Sequence, residues 1–219
     1  MSAPDDLLWR PLGPSDHGAV LALHRTVMAG LAPDVVKPET ADFLAEMLGP
    51  RGRTIGVFAG DTLGAYGILQ HDVPPADDPR AGLGIACDRP LLKLAGASVA
   101  PALRGRGLQR ALIAARVALA EADAAVPPLL FATSAPANVP SWTNLLAEGF
   151  GVRALKPYYG GYPRYVMVRP VAPDAGEAES VMEGDPARQA DLLNAGWHGI
   201  AQRTGPHGPI LVFARRTTP

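Results

Sequence analysis

The sequence predicts an α/β (α+β) protein in which strands and helices alternate along a chain of 219 residues. Three observations carry this prediction. Apolar residues alternate over residues 53–59 and 62–72, as in paired strands. Apolar residues recur at helical spacing over residues 105–123. A capped helix followed by apolar strand segments occurs twice, at residues 138–169 and 185–215.

Composition predicts a globular protein and excludes several classes of partner. Hydrophobic residues make up 47% of the chain, and the net charge of -1 gives no reason to expect nucleic acid or an anionic membrane as partner. Cys87 is the only cysteine, so neither an intrachain disulfide nor a cysteine zinc cluster can form. No His/Asp/Glu spacing indicates a metal site. Without a signal-like start or a long apolar run, we expect a cytoplasmic protein, and the excess of arginine over lysine suggests a bacterial source.

The first part of the chain is predicted to hold a strand at residues 7–12, two helices and a strand hairpin. Pro38 suits the start of the second helix, and Gly60-Asp61 suits the tight turn between the hairpin strands. Residues 73–90 are rich in proline and form a long loop, which is either a binding element or an unstructured insertion.

The second part begins with an apolar strand at residues 91–100 and continues through a long helix to a short strand at residues 129–134. Asn138 then caps a helix that ends at Gly149-Phe150. Residues 151–155 and 164–169 follow as a hairpin pair around an aromatic loop.

A segment rich in proline, alanine and acidic residues, 170–179, predicts a linker between a main domain, 1–169, and a C-terminal extension, 180–219. The extension resembles residues 138–169. Each copy has an N-cap, a helix with a Leu-Leu pair, a Gly-aromatic end and an apolar strand that ends in arginine. Capped helices can be similar by chance, but the shared register favours a half-duplication.

The most informative stretch is a turn, residues 104–109, between the strand 91–100 and the long helix. The first N–H groups of a helix have no intrahelical partner and lie at the positive end of its dipole. Glycines at 105 and 107 leave room for a bulky anion, and three arginines, Arg104, Arg106 and Arg110, add positive charge. This arrangement predicts a pyrophosphate site.

Residues 104–109, Arg-Gly-Arg-Gly-Leu-Gln, resemble the Gln/Arg-x-x-Gly-x-Gly/Ala motif of the GCN5-related N-acetyltransferases (GNATs). Val99 lies five residues ahead of Arg104, the spacing found in that family, and Val-x-Pro before the motif is common there. The stretch from Asn138 to Gly149-Phe150 is similar to the family's second CoA segment. The resemblance covers about three quarters of the chain.

This resemblance implies a mixed, mostly antiparallel sheet, flanked by helices, whose fourth and fifth strands splay apart. Acetyl-CoA would be the co-substrate, with its pantetheine arm paired to a strand backbone like an extra strand and its pyrophosphate on the turn. Asn138 would hydrogen-bond the pantetheine arm, although capping the next helix is an equal alternative. The implied binding residues are Ala97, Ser98, Val99, Arg104, Gly105, Arg106, Gly107, Leu108, Gln109 and Asn138.

The sequence departs from the family at three positions. Gln109 stands where Gly or Ala is usual, which leaves its N–H in place. Leu145 stands where many members carry a tyrosine that protonates the leaving thiolate, and Lys93 where some carry a glutamate base. Candidates for the missing acid are Tyr159, from the aromatic loop, and Ser141.

The expected function is transfer of acetyl from acetyl-CoA to a primary amine of a small molecule or protein, directly, in a ternary complex. A homodimer is compatible with this function. A non-catalytic acyl-CoA-binding sensor or interaction module is the alternative, because both familiar proton-transfer groups are missing. A nucleotide-binding protein is disfavoured, because no Gly-Lys-Ser/Thr follows the glycines.

Overall fold

The computed structural model of the chain describes residues 7–32, 34–122, 124–170 and 177–215. Contacts divide the chain into two compact units. Unit 1 comprises residues 1–33, 37–78 and 89–128, and unit 2 comprises residues 34–36, 79–88 and 129–219.

The described residues of unit 1 form four strands and three α-helices. In chain order they are β1 (Leu7–Leu12), α1 (His17–Met28), α2 (Ala41–Met47), β2 (Gly52–Ala59), β3 (Thr62–Gln70), β4 (Leu91–Val99) and α3 (Leu108–Ala122). The strands form an antiparallel sheet in the order β1-β2-β3-β4.

Both faces of the unit 1 sheet are buried. Because successive side chains of a strand point to opposite faces, β3 serves two cores. Tyr66 and Ile68 join one core with side chains of α1 and α2. Ala65 joins the other with Leu108 and Leu112 of α3. Because β3 is buried on both faces and pairs with β4, it holds β4 in a defined position within unit 1.

Two predicted helix starts are wrong by about one turn. The second helix begins at Ala41 rather than Pro38, because Thr40 Oγ1 accepts the Phe43 N–H at 3.1 Å and caps it there. The long helix begins at Leu108 rather than at residue 105. Gly105 and Gly107 adopt φ of 78° and 73°, which is left-handed backbone and cannot continue a right-handed helix.

In unit 2, the part of the chain that the structure describes forms six strands and two α-helices. In chain order they are β5 (Leu129–Ser134), α4 (Val139–Ala147), β6 (Gly151–Tyr158), β7 (Tyr162–Arg169), β8 (Ala178–Met182), α5 (Pro186–Asn194), β9 (Trp197–Gly205) and β10 (Gly208–Arg215). The strand order within the unit is β5-β7-β6-β9-β10-β8, and every pairing is antiparallel.

The predicted half-repeat is a complete structural unit of strand, helix and hairpin. In the first copy β5 pairs with β7, which pairs with β6. In the second copy β8 pairs with β10, which pairs with β9. Sequence alone predicts the helix and the last strand of the second copy. It misses β8, whose first residues fall inside the predicted linker.

The two helices of the repeat end in the same way. Each residue of the second helix follows its counterpart by 47 positions, as from 149 to 196. Gly149 has φ of 80° and donates its N–H to Leu146 O, at 3.0 Å. Gly196 has φ of 84° and donates to Leu193 O, at 3.1 Å. A left-handed glycine therefore ends both helices.

Each helix is also tied to the loop before it by an equivalent hydrogen bond. Trp142 Nε1 donates to Pro136 O at 2.8 Å, and Gln189 Nε2 donates to Glu183 O at 3.0 Å. These partners follow one another by the same 47 positions. Tyr165 joins the two copies: its hydroxyl donates to Gln189 Oε1 at 2.6 Å, and its ring meets Trp142 edge to face.

The two copies meet through equivalent strands. β6 pairs antiparallel with β9 at Val152 and Gly199, which are themselves counterparts in the repeat. Each helix also reaches the other copy, since α4 packs on β9 and α5 packs on β6 as well as on β9. A Cβ on Gly199 would lie 3.0 Å from Val152 Cβ, so glycine allows this close approach. The copies are thus related by an approximate two-fold axis inside one chain.

The division into a domain 1–169, a linker 170–179 and an extension 180–219 stays a prediction. Residues 171–176 of that linker lie outside the described residues. The separation predicted for the fourth and fifth strands also stays a prediction, since these strands belong to different units. No helix within the described ranges is both long and apolar enough to cross a bilayer.

We expect Gln189→Ala to lower the free energy of unfolding by about 3 kcal/mol, because the buried Tyr165 hydroxyl loses its acceptor and the Met182 and Glu183 carbonyls lose a donor. Gln189 is fully buried and also donates to Met182 O at 2.8 Å. Urea unfolding measures the change. Gln202→Ala is the control, since the Gln202 side chain, within the described ranges, bonds only the carbonyl of its neighbour Arg203. Equal stabilities of the two variants would contradict the role of Gln189 as a tether.

Candidate active site

The edge of β4 carries the predicted pantetheine contacts. Ala100 N–H donates to Gly64 O at 2.8 Å, and Tyr66 pairs with Ser98. Because backbone groups alternate between the two sides of a strand, Ser98 turns its backbone toward β3, and Ala97 and Val99 turn theirs outward. The Ser98 side chain is also buried. The backbone groups of Ala97 and Val99 therefore face the side of β4 away from β3, and their pairing with pantetheine stays a prediction.

A bulge interrupts β4 just before this edge. Gly67 pairs with Ala97 and Leu69 with Leu94, so two residues of β4, Ala95 and Gly96, oppose the single residue Ile68. A bulge leaves backbone groups without their usual ladder partners and re-aims the strand. The carbonyls of Ile68 and Ala95 need other donors.

Arg116 of α3 supplies those donors. Its Nη1 donates to Ile68 O at 3.2 Å and to Ala95 O at 3.3 Å, while Nε donates to Leu112 O at 2.9 Å. Burial lowers the pKa of this guanidinium to about 10. Gly67 makes room for it, because a Cβ there would lie 2.9 Å from Arg116 Nε. The sequence offered no spacing signal for this arginine, which lies mid-helix.

The turn after β4 presents four backbone N–H groups together. Those of Gly105, Arg106, Gly107 and Leu108 donate to no backbone acceptor among the described residues. Arg104 differs from the prediction, since its N–H donates to Pro101 O at 3.2 Å and closes a 3₁₀ turn.

The same turn fits a diphosphate in shape and charge. A Cβ on Gly105 or Gly107 would meet nothing within 4 Å, so the space beside both glycines is open. Arg104, Arg106 and Arg110 are exposed around it. Leu108 is buried in the α3 core and anchors the start of the helix. Four N–H groups at a positive helix end are an arrangement that binds phosphate oxygens.

Asn138 does not use its side chain as a helix cap. Its carbonyl accepts the N–H groups of Ser141 and Trp142 at 2.9 and 3.4 Å, but its side chain makes no cap hydrogen bond. The capping alternative for its side chain is thus not observed. Ser141 lies in the first turn of α4, half-buried.

Tyr159 lies at the tip of the β6–β7 hairpin in strained left-handed backbone, with φ of 51°. Its hydroxyl is 3.1 Å from Thr133 Oγ1 on β5, and the Arg164 guanidinium lies 5.9 Å from its ring centre. The ring of Tyr158 lies 5.5 Å away. These contacts make Tyr159 part of a packed aromatic wall, and its role as an acid stays a prediction.

The two residues at unusual family positions have ordinary structural roles. Leu145 is buried on the inner face of α4. Lys93 is largely buried, and its Nζ lies 3.7 Å from Asp77 Oδ2. Lys93 therefore takes part in an ion pair with the long loop. The hydrocarbon side chain of Leu145 has no proton to donate to a leaving thiolate.

Sequence reasoning missed a buried polar chain on the α1 side of β4. Ser98 Oγ donates to Tyr66 Oη at 3.3 Å, and Tyr66 Oη is 2.8 Å from His24 Nδ1. His24 Nε2 in turn accepts the backbone N–H of Glu39 at 2.9 Å. These hydrogen bonds link Glu39 to β4 through residues that are far apart in sequence. No local spacing in the sequence could therefore indicate the network.

No group of three or more His, Cys, Asp or Glu side chains that could hold a metal ion occurs in the described part of the chain. Independence from metals stays a prediction.

Comparison with solved structures gives close matches of the fold at low sequence identity. NAA60 from Arabidopsis thaliana, in complex with acetyl-CoA, has a TM-score of 0.60 at 18% identity, over 74% of this chain and 97% of that chain. A GNAT superfamily phosphinothricin acetyltransferase from Sinorhizobium meliloti, in complex with AcCoA, has a TM-score of 0.56 at 17% identity, over 76% and 89%.

A third neighbour is the ribosomal-protein-S18-alanine N-acetyltransferase from Escherichia coli, with a TM-score of 0.54 at 19% identity, over 78% of this chain and 97% of that chain. The chain has the GNAT fold. The predicted fold class, α/β (α+β) with a mostly antiparallel sheet and flanking helices, is confirmed. No protein-family model and no curated protein matches the sequence. About a quarter of this GNAT-fold chain has no counterpart in these neighbours.

We expect Arg116→Met to lower the free energy of unfolding by about 3 kcal/mol, because the carbonyls at the bulge lose their donors. The substitution should also weaken the binding of any ligand that pairs with the outward backbone of β4. Chemical unfolding and acetyl-CoA calorimetry measure the two effects. The control is Arg25→Met, on the outer face of α1. If Arg116→Met were as stable as Arg25→Met, the bulge would not depend on Arg116.

Proposed function

We propose that this chain is an acetyl-CoA-dependent N-acetyltransferase that acts on a primary amine of a small molecule or protein. One observation carries the proposal: four successive backbone N–H groups, Gly105 to Leu108, have no backbone acceptor among the described residues, and they stand between the end of β4 and the first turn of α3. The solved neighbours include GNAT-fold enzymes in complex with acetyl-CoA. A cytoplasmic bacterial setting, independence from metals and a homodimer belong to the same proposal.

The residues would hold acetyl-CoA in three places. The N–H groups of the turn receive the diphosphate, aided by the exposed arginines. The backbone of Ala97 and Val99 pairs with the pantetheine arm, like an added strand. Asn138 supplies a side-chain amide that its helix does not use.

Acyl transfer then needs an amine nitrogen held close to the thioester carbonyl carbon. Positioning alone supplies a large share of the rate when the reacting atoms are held in contact. Burial lowers the pKa of an ammonium group, which eases loss of its proton. Direct transfer in a ternary complex therefore does not depend on the tyrosine acid that Leu145 replaces.

A second candidate is a non-catalytic acyl-CoA-binding sensor. Leu145 and the Lys93–Asp77 ion pair favour it, because the two familiar proton-transfer positions are occupied by a core residue and a structural cation. This alternative has the same binding site and no acceptor chemistry.

Gly107→Asp should abolish acetyl-CoA binding in a folded protein, with at least a hundredfold rise in Kd. The change places a β-carbon and a negative charge among the phosphate-binding N–H groups, on backbone that favours glycine. Calorimetry measures Kd, and circular dichroism checks the fold. Gly30→Asp is the matched control, because Gly30 also has positive φ, 79°, and open space, but lies after α1. Unchanged affinity in folded Gly107→Asp would contradict the assignment.

Wild-type protein should release CoA from acetyl-CoA when it is supplied with a primary amine it accepts. A panel of aliphatic amines, polyamines, aminoglycosides and peptides with free amino termini, followed by thiol detection, measures this. Acetyl-CoA binding without turnover on any amine supports the sensor. Absence of acetyl-CoA binding in the wild type would overturn both functions.

A further inference from the structure

The side chain of Glu39 lies against the bulge of β4. A Cβ built on Gly96 would lie 3.2 Å from Glu39 Cγ and 3.5 Å from Oε1. The first distance is shorter than a comfortable carbon contact, so any larger residue at 96 would displace the glutamate. Gly96 therefore leaves room for this carboxylate on the α1 side of the bulge, as Gly67 does for Arg116 on the α3 side.

The backbone of Glu39 is held in place by His24. Since His24 Nε2 accepts the Glu39 N–H, Nδ1 carries the proton and donates to Tyr66 Oη. Burial lowers the pKa of His24, which keeps the imidazole neutral and preserves this pattern at physiological pH. Tyr66 is fully buried in the central strand β3. The glutamate is thus preorganised, although it lies outside any helix or strand.

The carboxylate itself is half-buried and lies among three charges. Burial raises the pKa of the Glu39 carboxyl above its ordinary value, Lys37 and Lys93 oppose the rise, and Asp77 adds to it. Lys93 is in turn paired with Asp77. Among the described residues, no hydrogen-bond donor contacts the carboxylate oxygens. The group has more basicity than an exposed glutamate and no structural bond that its side chain must keep.

The position of Glu39 along β4 places it at one end of the proposed acetyl-CoA site. The diphosphate turn follows the carboxyl end of β4. A ligand that leaves this turn and runs back along the outward edge meets Val99, then Ala97, and then the bulge at Gly96. The acyl end of such a ligand therefore lies next to the residue on which Glu39 packs.

We propose that the Glu39 carboxylate binds the ammonium group of the acceptor and removes its proton before acyl transfer. This inference rests on the proposed function. It also assigns a cationic amine as the form in which the acceptor arrives, because a partly buried carboxylate attracts a cation. Glu39 takes the role for which no residue of β4 is suited, and it does so from the segment between α1 and α2.

The proton and electron balance is complete with these groups. Glu39 takes one proton from R–NH₃⁺, and the nitrogen lone pair forms the C–N bond with the thioester carbonyl carbon. Collapse of the adduct breaks the C–S bond, whose electron pair leaves with sulfur. The second nitrogen proton neutralises the thiolate to HS–CoA, and the proton on Glu39 returns to solvent. The products are the acetamide, HS–CoA and H⁺.

The first test compares Glu39→Gln with Glu46→Gln, an exposed α2 glutamate paired with Arg51. With the panel amine that the wild type uses fastest, Glu39→Gln should lower kcat at least a hundredfold. Its Kd for acetyl-CoA should stay within about twofold, because the diphosphate turn is untouched. Glu46→Gln should match the wild type in both. Glu39→Asp keeps a carboxylate on a side chain that is one methylene shorter, so its kcat should lie between those of the wild type and Glu39→Gln.

The pH dependence of kcat distinguishes proton removal from a merely structural role. In the wild type, kcat should fall as pH drops through the raised pKa of Glu39 and level off above it. In Glu39→Gln the reaction needs amine that is already neutral, so its rate should keep rising tenfold per pH unit up to about pH 9. Equal pH profiles, or full activity of Glu39→Gln, would overturn the proposal.

A binding experiment decides the matter if no panel amine is acetylated. With ¹³C-labelled glutamate, n-butylammonium should shift the Glu39 carboxyl resonance of acetyl-CoA-bound wild type and lower the pKa of that carboxyl. It should shift no carboxyl resonance in Glu39→Gln. An unmoved Glu39 resonance overturns the ammonium site while leaving acetyl-CoA binding intact. Loss of acetyl-CoA binding in the wild type instead overturns the proposed function.

Discussion

The candidate site of unit 1 depends on how the protein satisfies one irregularity, the bulge of β4 at Ala95 and Gly96. A bulge frees carbonyls that a regular ladder would bond, and a buried free carbonyl is costly. Arg116 meets this need from the α3 side with a rigid fork of donors. Lysine could not replace it, because its single ammonium group is mobile and lacks the planar fork that reaches several carbonyls at once. The bulge in turn fixes which residues of β4 face outward.

The same irregularity explains why two glycines are needed in neighbouring strands. Gly67 and Gly96 have ordinary negative backbone angles, so their value lies in missing side chains and not in unusual conformation. One lets the guanidinium approach and the other lets the Glu39 side chain approach, on opposite faces of the sheet. A cation and an anion are thus held on either side of a single strand. The backbone of β4 lies between them, and its Ala95 carbonyl accepts a hydrogen bond from the cation.

Sequence reasoning succeeded where the signal is local. The strands at residues 7–12 and 129–134 and the second copy of the Leu-Leu helix follow from periodicity and caps. It failed where the cause is tertiary. Arg116 looks like a solvent-facing residue of an amphipathic helix, and Glu39 looks like a first-turn residue of a helix that begins at Pro38. Only contacts between residues far apart in sequence show that both side chains lie at the bulge.

The internal two-fold of unit 2 has a consequence for how its core can evolve. If two identical chains paired through β6, every residue near the two-fold axis would occur twice, and a residue on the axis would contact its own copy. Fusion into one chain removes that constraint. Trp142 and Gln189 hold equivalent places, yet one is an aromatic ring and the other an amide, and a single Tyr165 serves both. The second hairpin has the aliphatic Leu211 in this place, since Leu211 pairs with Val181 of β8 as Tyr165 pairs with Ser134 of β5. Different residues at equivalent positions around the two-fold axis are possible only when both copies are encoded in one chain.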